Sequence, residues 1–555
     1  MKQISEFTGI PLAQEDDIGA ITLPSFIQEL AQRFEQREAV TWTSPEGIQT
    51  SWSYLDILQR SQQVAKALLS RGVTKGTRIG ILISNRPEWL FCLFGASMAG
   101  ATVVALNTFS TVPELKYQLK VADVAHFFFE AGIASRDFNS DLKQVSPTLF
   151  GETANFQLDP ELPFLRSAIC VDPIKASHGT QNWEEFLSTG DGFPDELVTA
   201  AASTADPVDD SLIFFSSGTT ALPKAIRQTH RAATLQCWRT AKMFEFSDTE
   251  RTWNANGYFF SGNFAMAFGT LCRGGCIVML RYFDPEAAIE LIEKQNVTSV
   301  IAWPHQEARL KDCKSWETAD FSKLRRVVAG SPFRDHPSTN ITWPGFNGYG
   351  MTETFTFVTV ISGKAMEREG QGPVLPGNIV RIVDPETGVI VPIGQSGEII
   401  VKGPTLTPGY LKYAPEDTFD REGFIHTADA GYFTGDGYLY WSGRLSDIIK
   451  TGGANVSPTE IDSIICQHPS VQTSHTVGIP DDSLGELVVS CVVAKEGHNI
   501  QDDEVRAFCK SYLSGYKIPR KVLFFDESDL PKTGSNKIKT SALRELAGNR
   551  LHQTS

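Results

Sequence analysis

The chain has 555 residues, a formal net charge of -15 at pH 7, and 41% hydrophobic against 21% charged residues. That length exceeds what one hydrophobic core organises, so at least two domains are expected. Ordinary hydrophobic content excludes a disordered or fibrous chain, and the acidic balance excludes nucleic acid as a partner, because phosphate neutralisation needs clustered Lys and Arg.

The N-terminal stretch from Met1 to Asp17 is polar and acidic, without the basic start and apolar core of a signal peptide. Nine cysteines are scattered, and the one close pair, Cys272 and Cys276, lacks further ligands for a metal site, which predicts reduced thiols and a cytoplasmic setting. The first strand is expected at Arg78 to Ser84, with a helix opening at Pro87. The uncharged run from Trp89 to Leu106 is long enough to raise a membrane helix. Its small residues Gly95, Ala96, Ser97 and Gly100, followed by β-branched Val103 and Val104, predict a buried helix leading into a buried strand, with no transmembrane segment.

Further along, Thr111 to Lys120 reads as a helix with Pro113 in its first turn, leading to a strand over Ala125 to Phe129. The polar stretch between Asp172 and Asp210 reads as a surface connection with one short helix from Pro194 to Ala202. A strand at Cys276 to Leu280, a helix opened by Asp284 and Pro285, and a strand at Val297 to Ala302 repeat the earlier plan. Strand, helix, strand units predict an α/β fold with parallel sheets and helices packed on them. Past Arg444 a smaller α+β unit is expected, with helices at Thr459 to Cys466 and Asp503 to Leu513 and strands at Val471 to Ile479 and Leu487 to Ala494. The expected division is 1–444 and 445–555.

The sharpest local signal is the run Phe214 to Lys224, where an apolar strand end passes into Ser216, Ser217, Gly218, Thr219 and Thr220. Backbone N–H groups and hydroxyls there can wrap phosphate oxygens, with Lys224 as a point charge. Pro223 before the lysine excludes a Walker loop. Downstream come Asn347 to Glu353, where Tyr349 can stack on a base and Glu353 can offer a hard oxygen to a metal, and His426 to Asp429, whose carboxylate can accept from ribose hydroxyls. Gly443-Arg444 and the polar run Pro531 to Lys537 follow.

In this order and spacing the clusters resemble the acyl-adenylate-forming superfamily, which includes acyl- and aryl-CoA synthetases, luciferases and peptide-synthetase adenylation domains. Gly330-Ser331-Pro332, Gly397-Glu398, Gly409-Tyr410 and Tyr516 to Pro519 extend the resemblance over nearly the whole chain. The resemblance implies a large adenylation domain with a small mobile C-terminal domain, and a hinge near Ser446. It implies that Ser216 to Thr220 and Lys224 hold the triphosphate of ATP, that Gly330 and Tyr349 flank adenine, and that Thr352 and Glu353 serve phosphate and Mg²⁺. Asp429 and Arg444 would hold the ribose, and Lys537 would bridge the carboxylate and the α-phosphate. Lys450, Gly452 and Gly453 resemble the turn that admits the pantetheine of coenzyme A. The activity implied is formation of an acyl-AMP and then an acyl-CoA; a carrier protein or amine as acceptor, and a nucleotide-binding protein without catalysis, are the alternatives.

Ala221, Ala225, Ala428 and Asn536 stand where relatives usually have glycine, and Phe259 where they often have histidine. Any of these positions that needs φ > 0 is strained by alanine. The stretch Tyr258, Phe259, Phe260 and Phe264, with no evident charge, predicts an apolar or bulky acid, although a packed aromatic core explains the same residues. Ser457-Pro458-Thr459-Glu460 fits a helix cap with a capping-box glutamate, so Glu460 has a structural explanation. The sequence leaves open a homodimer and peripheral membrane contact.

Overall fold

The computed structural model describes residues 4–44, 47–151, 159–173, 179–215, 223–451, 454–481, 484–513, 515–532 and 538–554. Two mostly parallel sheets form the body of the large N-terminal part. The first has seven strands, with Arg78–Leu82 at its centre, and ends in an antiparallel pair, Asp210–Phe215 with Ala225–Thr229. The second has five, Ser299–Ile301, Arg251–Asn254, Cys276–Leu280, Glu38–Thr43 and Gln49–Ser53, and only its last pair is antiparallel.

One apolar cluster takes Ile79, Ile81 and Val103 from the first sheet and Val40, Ile277 and Met279 from the second, so the helices between them are buried on nearly every side. Pro87–Met98 is the extreme case. Of its twelve residues only Glu88 is not buried, and the chain then passes at once into the buried strand Thr102–Ala105. Gly95 makes the arrangement possible: a Cβ there would stand 2.6 Å from the Val64 Cβ and 2.7 Å from the Ser61 carbonyl oxygen of the neighbouring helix. No helix of the described residues is long and apolar enough to cross a membrane.

Local chemistry explains the element boundaries. The Thr111 hydroxyl accepts from the Glu114 N–H and the Glu114 carboxylate accepts from the Thr111 N–H at 2.7 Å, a reciprocal cap that starts the helix Val112–Val121. Asp284 caps Pro285–Lys294 in the same way from one side. The connection after Asp172 holds a second helix, Trp183–Ser188, besides the expected one at Asp195–Ser203; Asn182 caps it and Phe186 anchors it in the core.

A third, antiparallel sheet follows, Glu6–Thr8, Ile379–Val383, Gly397–Lys402, Ile425–Phe433 and Leu439–Arg444. Beyond it lies a smaller α+β unit. Its sheet is built on the long hairpin Val471–Asp481 with Gly485–Ala494 and carries the helices Pro458–Ile465, Asp502–Lys510 and Thr540–Thr554, with apolar clusters of its own. The Ser457 hydroxyl caps Pro458–Ile465 by accepting from the Glu460 N–H, and it donates to the Ser442 carbonyl oxygen in the third sheet. The reciprocal half of the expected capping box is absent: both Glu460 oxygens accept from the Lys517 ammonium at 2.7 Å, because an ion pair with a lysine outbids a neutral N–H.

Candidate active site

Strand pairing places the first part of the site. Asp429 and Arg444 face each other across the antiparallel strands Ile425–Phe433 and Leu439–Arg444. Their side chains meet there, with Arg444 Nε 3.1 Å from Asp429 Oδ1, while the guanidinium also donates to the Thr427 carbonyl oxygen at 2.8 Å. Tyr349, on the strand Phe346–Gly350, donates its hydroxyl to Asp429 Oδ2 at 2.7 Å. Burial pushes the Asp429 carboxyl up, against the opposing pull of the Tyr349 hydroxyl and Arg444. The Tyr349 hydroxyl is raised well above the usual phenol range by burial and the neighbouring carboxylate, so it remains a donor.

Three residues further on, the short 3-10 turn Thr352–Thr354 presents Glu353. Its Oε1 accepts from the Tyr410 hydroxyl at 2.9 Å, and Lys224 Nζ lies 4.5 Å from the centre of the Tyr410 ring. Backbone pairing produces this convergence: the Arg227 N–H donates to the Gly409 carbonyl and the Leu411 N–H to the Ala225 carbonyl, pressing Tyr410 against the start of Ala225–Thr229. The buried Gln228 amide donates to the Thr352 carbonyl oxygen at 2.5 Å and ties the turn to the same strand. Lys224, Tyr410 and Glu353 are thus joined to Tyr349, Asp429 and Arg444 by the five residues from 349 to 353.

Gly330 occupies a turn with φ +78° and open space where a side chain would be, a conformation that glycine adopts without strain. The next residue, Ser331, donates its hydroxyl to the buried Glu307 at 2.8 Å. Sequence reasoning assigned no role to Tyr410 or Glu307. Tyr410 was visible only as part of the Gly409-Tyr410 match, and Glu307 carried no local signal.

Ser216, Ser217, Gly218, Thr219, Thr220, Gly452, Gly453 and Lys537 lie outside the described residues, as do Ala221 and Asn536. Their described neighbours still mark a place. A cavity of ≈ 680 Å³ is lined by Phe215 and Pro223, which flank the hydroxyl-rich run, and by Lys539, two residues past Lys537. Phe259 and Phe260 line it too, with ring centroids 4.7 Å apart, whereas Tyr258 and Phe264 pack against Trp89 and Phe268 in the core. The aromatic stretch therefore serves both cavity wall and core. Lys450 stands on the short strand Ile449–Thr451 of the small unit, its N–H held by Glu486 at 2.7 Å, and no described contact carries it to the Asp429 group. Ser446 lies in the 3-10 turn Leu445–Asp447 between the third sheet and the small unit.

Of the four alanine or asparagine departures, Ala428 alone among the described residues is strained: its φ is +56°, and its N–H donates to Glu398 Oε1 at 3.0 Å. Ala225 lies in an ordinary strand. For Mg²⁺ the donor chemistry fits. Among the described residues Tyr410 occupies one Glu353 oxygen, and the other has the hard-oxygen chemistry that Mg²⁺ takes.

Residues 27–411 match the family model of the AMP-binding enzymes, and residues 460–537 match that of the AMP-binding enzyme C-terminal domain. An acyl-CoA ligase of Ajellomyces capsulatus is 29% identical over 560 residues, covering 96% of this chain and 92% of its own. A feruloyl-CoA synthase of an Amycolatopsis species is 29% identical, covering 90% and 94%. Among solved structures, ATP-bound MatB from Rhodopseudomonas palustris superposes with a TM-score of 0.73 at 24% identity, covering 96% of this chain and 99% of that one. The anthranilate CoA ligase AuaEII with anthranoyl-AMP gives a TM-score of 0.79 at 22% identity, covering 98% and 99%.

Proposed function

The chain belongs to the family of AMP-binding enzymes, and from that premise we propose how its residues carry out ATP-dependent ligation of a carboxylic acid to coenzyme A. A carboxylate oxygen attacks the α-phosphorus of ATP, the bond to pyrophosphate breaks, and an acyl-AMP forms. The thiol of coenzyme A then attacks the acyl carbon, AMP leaves with the bonding pair, and the thiol proton passes to solvent.

The first step brings two anions together, so its barrier is largely electrostatic. Lys537 neutralises the carboxylate and α-phosphate as they approach. Ser216 to Thr220 and Lys224 hold the triphosphate, and Tyr410 orients Lys224 and Glu353 together. Glu353 would hold Mg²⁺, which when bound would neutralise phosphate charge, and Thr352 serves the phosphate. Asp429, with one oxygen on Tyr349 and the other near Arg444, accepts from the ribose hydroxyls, and Gly330 leaves room for the adenine ring. Lys450, Gly452 and Gly453 form the turn along which pantetheine enters once the small domain, residues 445–555, rotates about Ser446.

The single observation that carries the reading is the convergence of Lys224, Asp429 and Arg444, far apart in sequence, on Tyr349 and Glu353 of one five-residue segment. The acid lies in the aromatic-walled cavity between Phe215, Pro223 and Lys539. All nine cysteines are unpaired, which supports a cytoplasmic setting. Lys537→Ala is expected to lower acid-dependent pyrophosphate exchange by about a hundredfold or more with ATP binding retained. An undiminished exchange rate would reject the catalytic assignment, and AMP release that does not depend on coenzyme A would reject the acceptor.

A further inference from the structure

The turn that presents Glu353 is held at each of its carbonyls. The Thr352 carbonyl accepts from Gln228 Nε2 at 2.5 Å, the Glu353 carbonyl from the Thr407 N–H at 2.7 Å, and the Thr354 carbonyl from Gln236 Nε2 at 3.3 Å. Within the turn the Thr354 hydroxyl accepts from the Met351 N–H at 3.0 Å and donates to the Thr356 carbonyl at 2.6 Å. The chain leaves this bracing at Phe355, whose N–H donates to the Thr352 carbonyl at 3.0 Å and whose backbone stands at φ +64° and ψ -45°. Nine non-glycine residues among those described have a positive φ, and Phe355 is the only aromatic one. For a bulky side chain that conformation is an outlier, close to the rare and strained γ turn, so the surroundings must hold it in place.

The ring does the holding. Phe355 is 0% exposed, with its ring centroid 5.6 Å from that of Phe214 and 5.5 Å from that of Phe264, edge to face with both. Aromatic pairs in this arrangement contribute beyond the area they bury. Phe214 lies on Asp210–Phe215, the strand that precedes the hydroxyl-rich run, and Phe264 lies on Ser261–Leu271, the helix that begins at the cavity-wall rings Phe259 and Phe260. Gln228 lies on Ala225–Thr229, the strand that follows the same run. The Glu353 turn is therefore tied to both strands that flank the run, to the later one by the Gln228 amide and to the earlier one by the Phe355 ring. Glycine in place of Phe355 would relieve the backbone and lose the second tie, so strain and registration come together.

We propose that Phe355 is a positioning residue for adenylation: clamped between Phe214 and Phe264, it fixes Glu353 relative to the strands that flank the triphosphate run. This rests on the reading of Glu353 as the Mg²⁺ ligand and of Ser216 to Thr220 as the triphosphate run. Mg²⁺ accepts only a narrow range of oxygen distances, so a carboxylate and a phosphate that share it need a fixed relation between the segments that carry them. Phe355 touches neither metal nor nucleotide in this role. It acts through Glu353, as groups behind a metal ligand do when they set that ligand's orientation.

The test follows binding rather than turnover. For the full-length enzyme, the rise in melting temperature produced by a fixed ATP concentration is measured at stepped Mg²⁺ concentrations. Glu353→Gln is the reference, and Phe186→Leu, at a fully buried ring whose partners are Phe128 and Trp183, is the control for core damage. Phe355→Ala is expected to raise the Mg²⁺ concentration that gives half of the rise by about tenfold or more, and Phe355→Leu, which refills part of the space without the edge contacts, by about threefold. Phe186→Leu is expected to lower the ligand-free melting temperature and leave the Mg²⁺ requirement as it was. Acid-dependent pyrophosphate exchange should follow the same order and recover in excess Mg²⁺. The ligand-free melting temperature reports folding, and Phe355→Leu carries the comparison if Phe355→Ala does not fold. A Mg²⁺ requirement unmoved by the Phe355 variants while Glu353→Gln shifts it, or shifted equally by Phe186→Leu, would overturn the inference and leave the Glu353 reading standing. If Glu353→Gln itself left the requirement unchanged, the metal reading and the inference would fall together.

Discussion

Ala428 holds a left-handed backbone conformation that costs an L-residue with a side chain about 1 kcal/mol, and glycine almost nothing. Ala428→Gly should therefore raise the free energy of unfolding by about 1 kcal/mol in denaturant titration; no gain would mean that the Glu398 contact compensates the strain. Glu307 is 2% exposed, its carboxyl pushed up to about 7 by burial although the Ser331 hydroxyl and Arg334 favour its ionised form. A raised folded-state pKa means that the native protein binds the proton more tightly than the unfolded chain, so its stabilising effect is present at low pH and is lost as pH rises to about 7. Glu307→Gln keeps the neutral shape at every pH. Its free energy of unfolding should match the wild type near pH 4 and exceed it at pH 8 by about 3 kcal/mol; a pH-independent difference would contradict the shift. At Tyr349 the hydroxyl satisfies a buried carboxylate, so Tyr349→Phe should weaken ATP binding roughly tenfold, about 1.4 kcal/mol, while the fold survives. Of these residues, Tyr349 and Asp429 stood out in the sequence as candidates, Tyr349 for its ring and not for the hydroxyl that meets Asp429. Glu307 was not, because its partner lies 24 positions away and only folding buries it.

At the scale of elements, the helix Pro87–Met98 sits against its neighbour through Gly95, and both close contacts there involve the helix Tyr54–Ser70. Gly95→Leu should destabilise the protein by about 2–3 kcal/mol in denaturant titration, since well-packed helices accept extra atoms only by shifting. The helix was readable because apolar and small residues in an uncharged run, closed by β-branched ones, have few other solutions. Trp183–Ser188 was not readable, being six residues with one buried side chain, too short for a period to emerge. Glu460 shows a similar limit. Its cap position was evident, but the choice between a neighbouring N–H and the Lys517 ammonium depends on chain 57 residues further on.

At the scale of the molecule, the Leu445–Asp447 turn is the covalent link between the third sheet and the small unit. Proline at Ser446 would restrict Leu445 as well as itself, so Ser446→Pro should leave acid-dependent pyrophosphate exchange within about threefold and slow transfer to coenzyme A by about tenfold or more. Equal losses in both steps, in single-turnover assays, would place the hinge elsewhere. The strand, helix, strand units, the α/β class and the candidate groups for a nucleotide followed from the amino-acid sequence alone, whereas the antiparallel third sheet did not. Period, caps and motif chemistry are local, and each residue carries them wherever the chain goes. Tertiary structure alone decided that Tyr410 ties Lys224 to Glu353, that Tyr349 donates to Asp429, and that the aromatic stretch divides between wall and core. Those are matters of distance and burial, set by strand pairing between segments tens to hundreds of residues apart, and no local pattern records them.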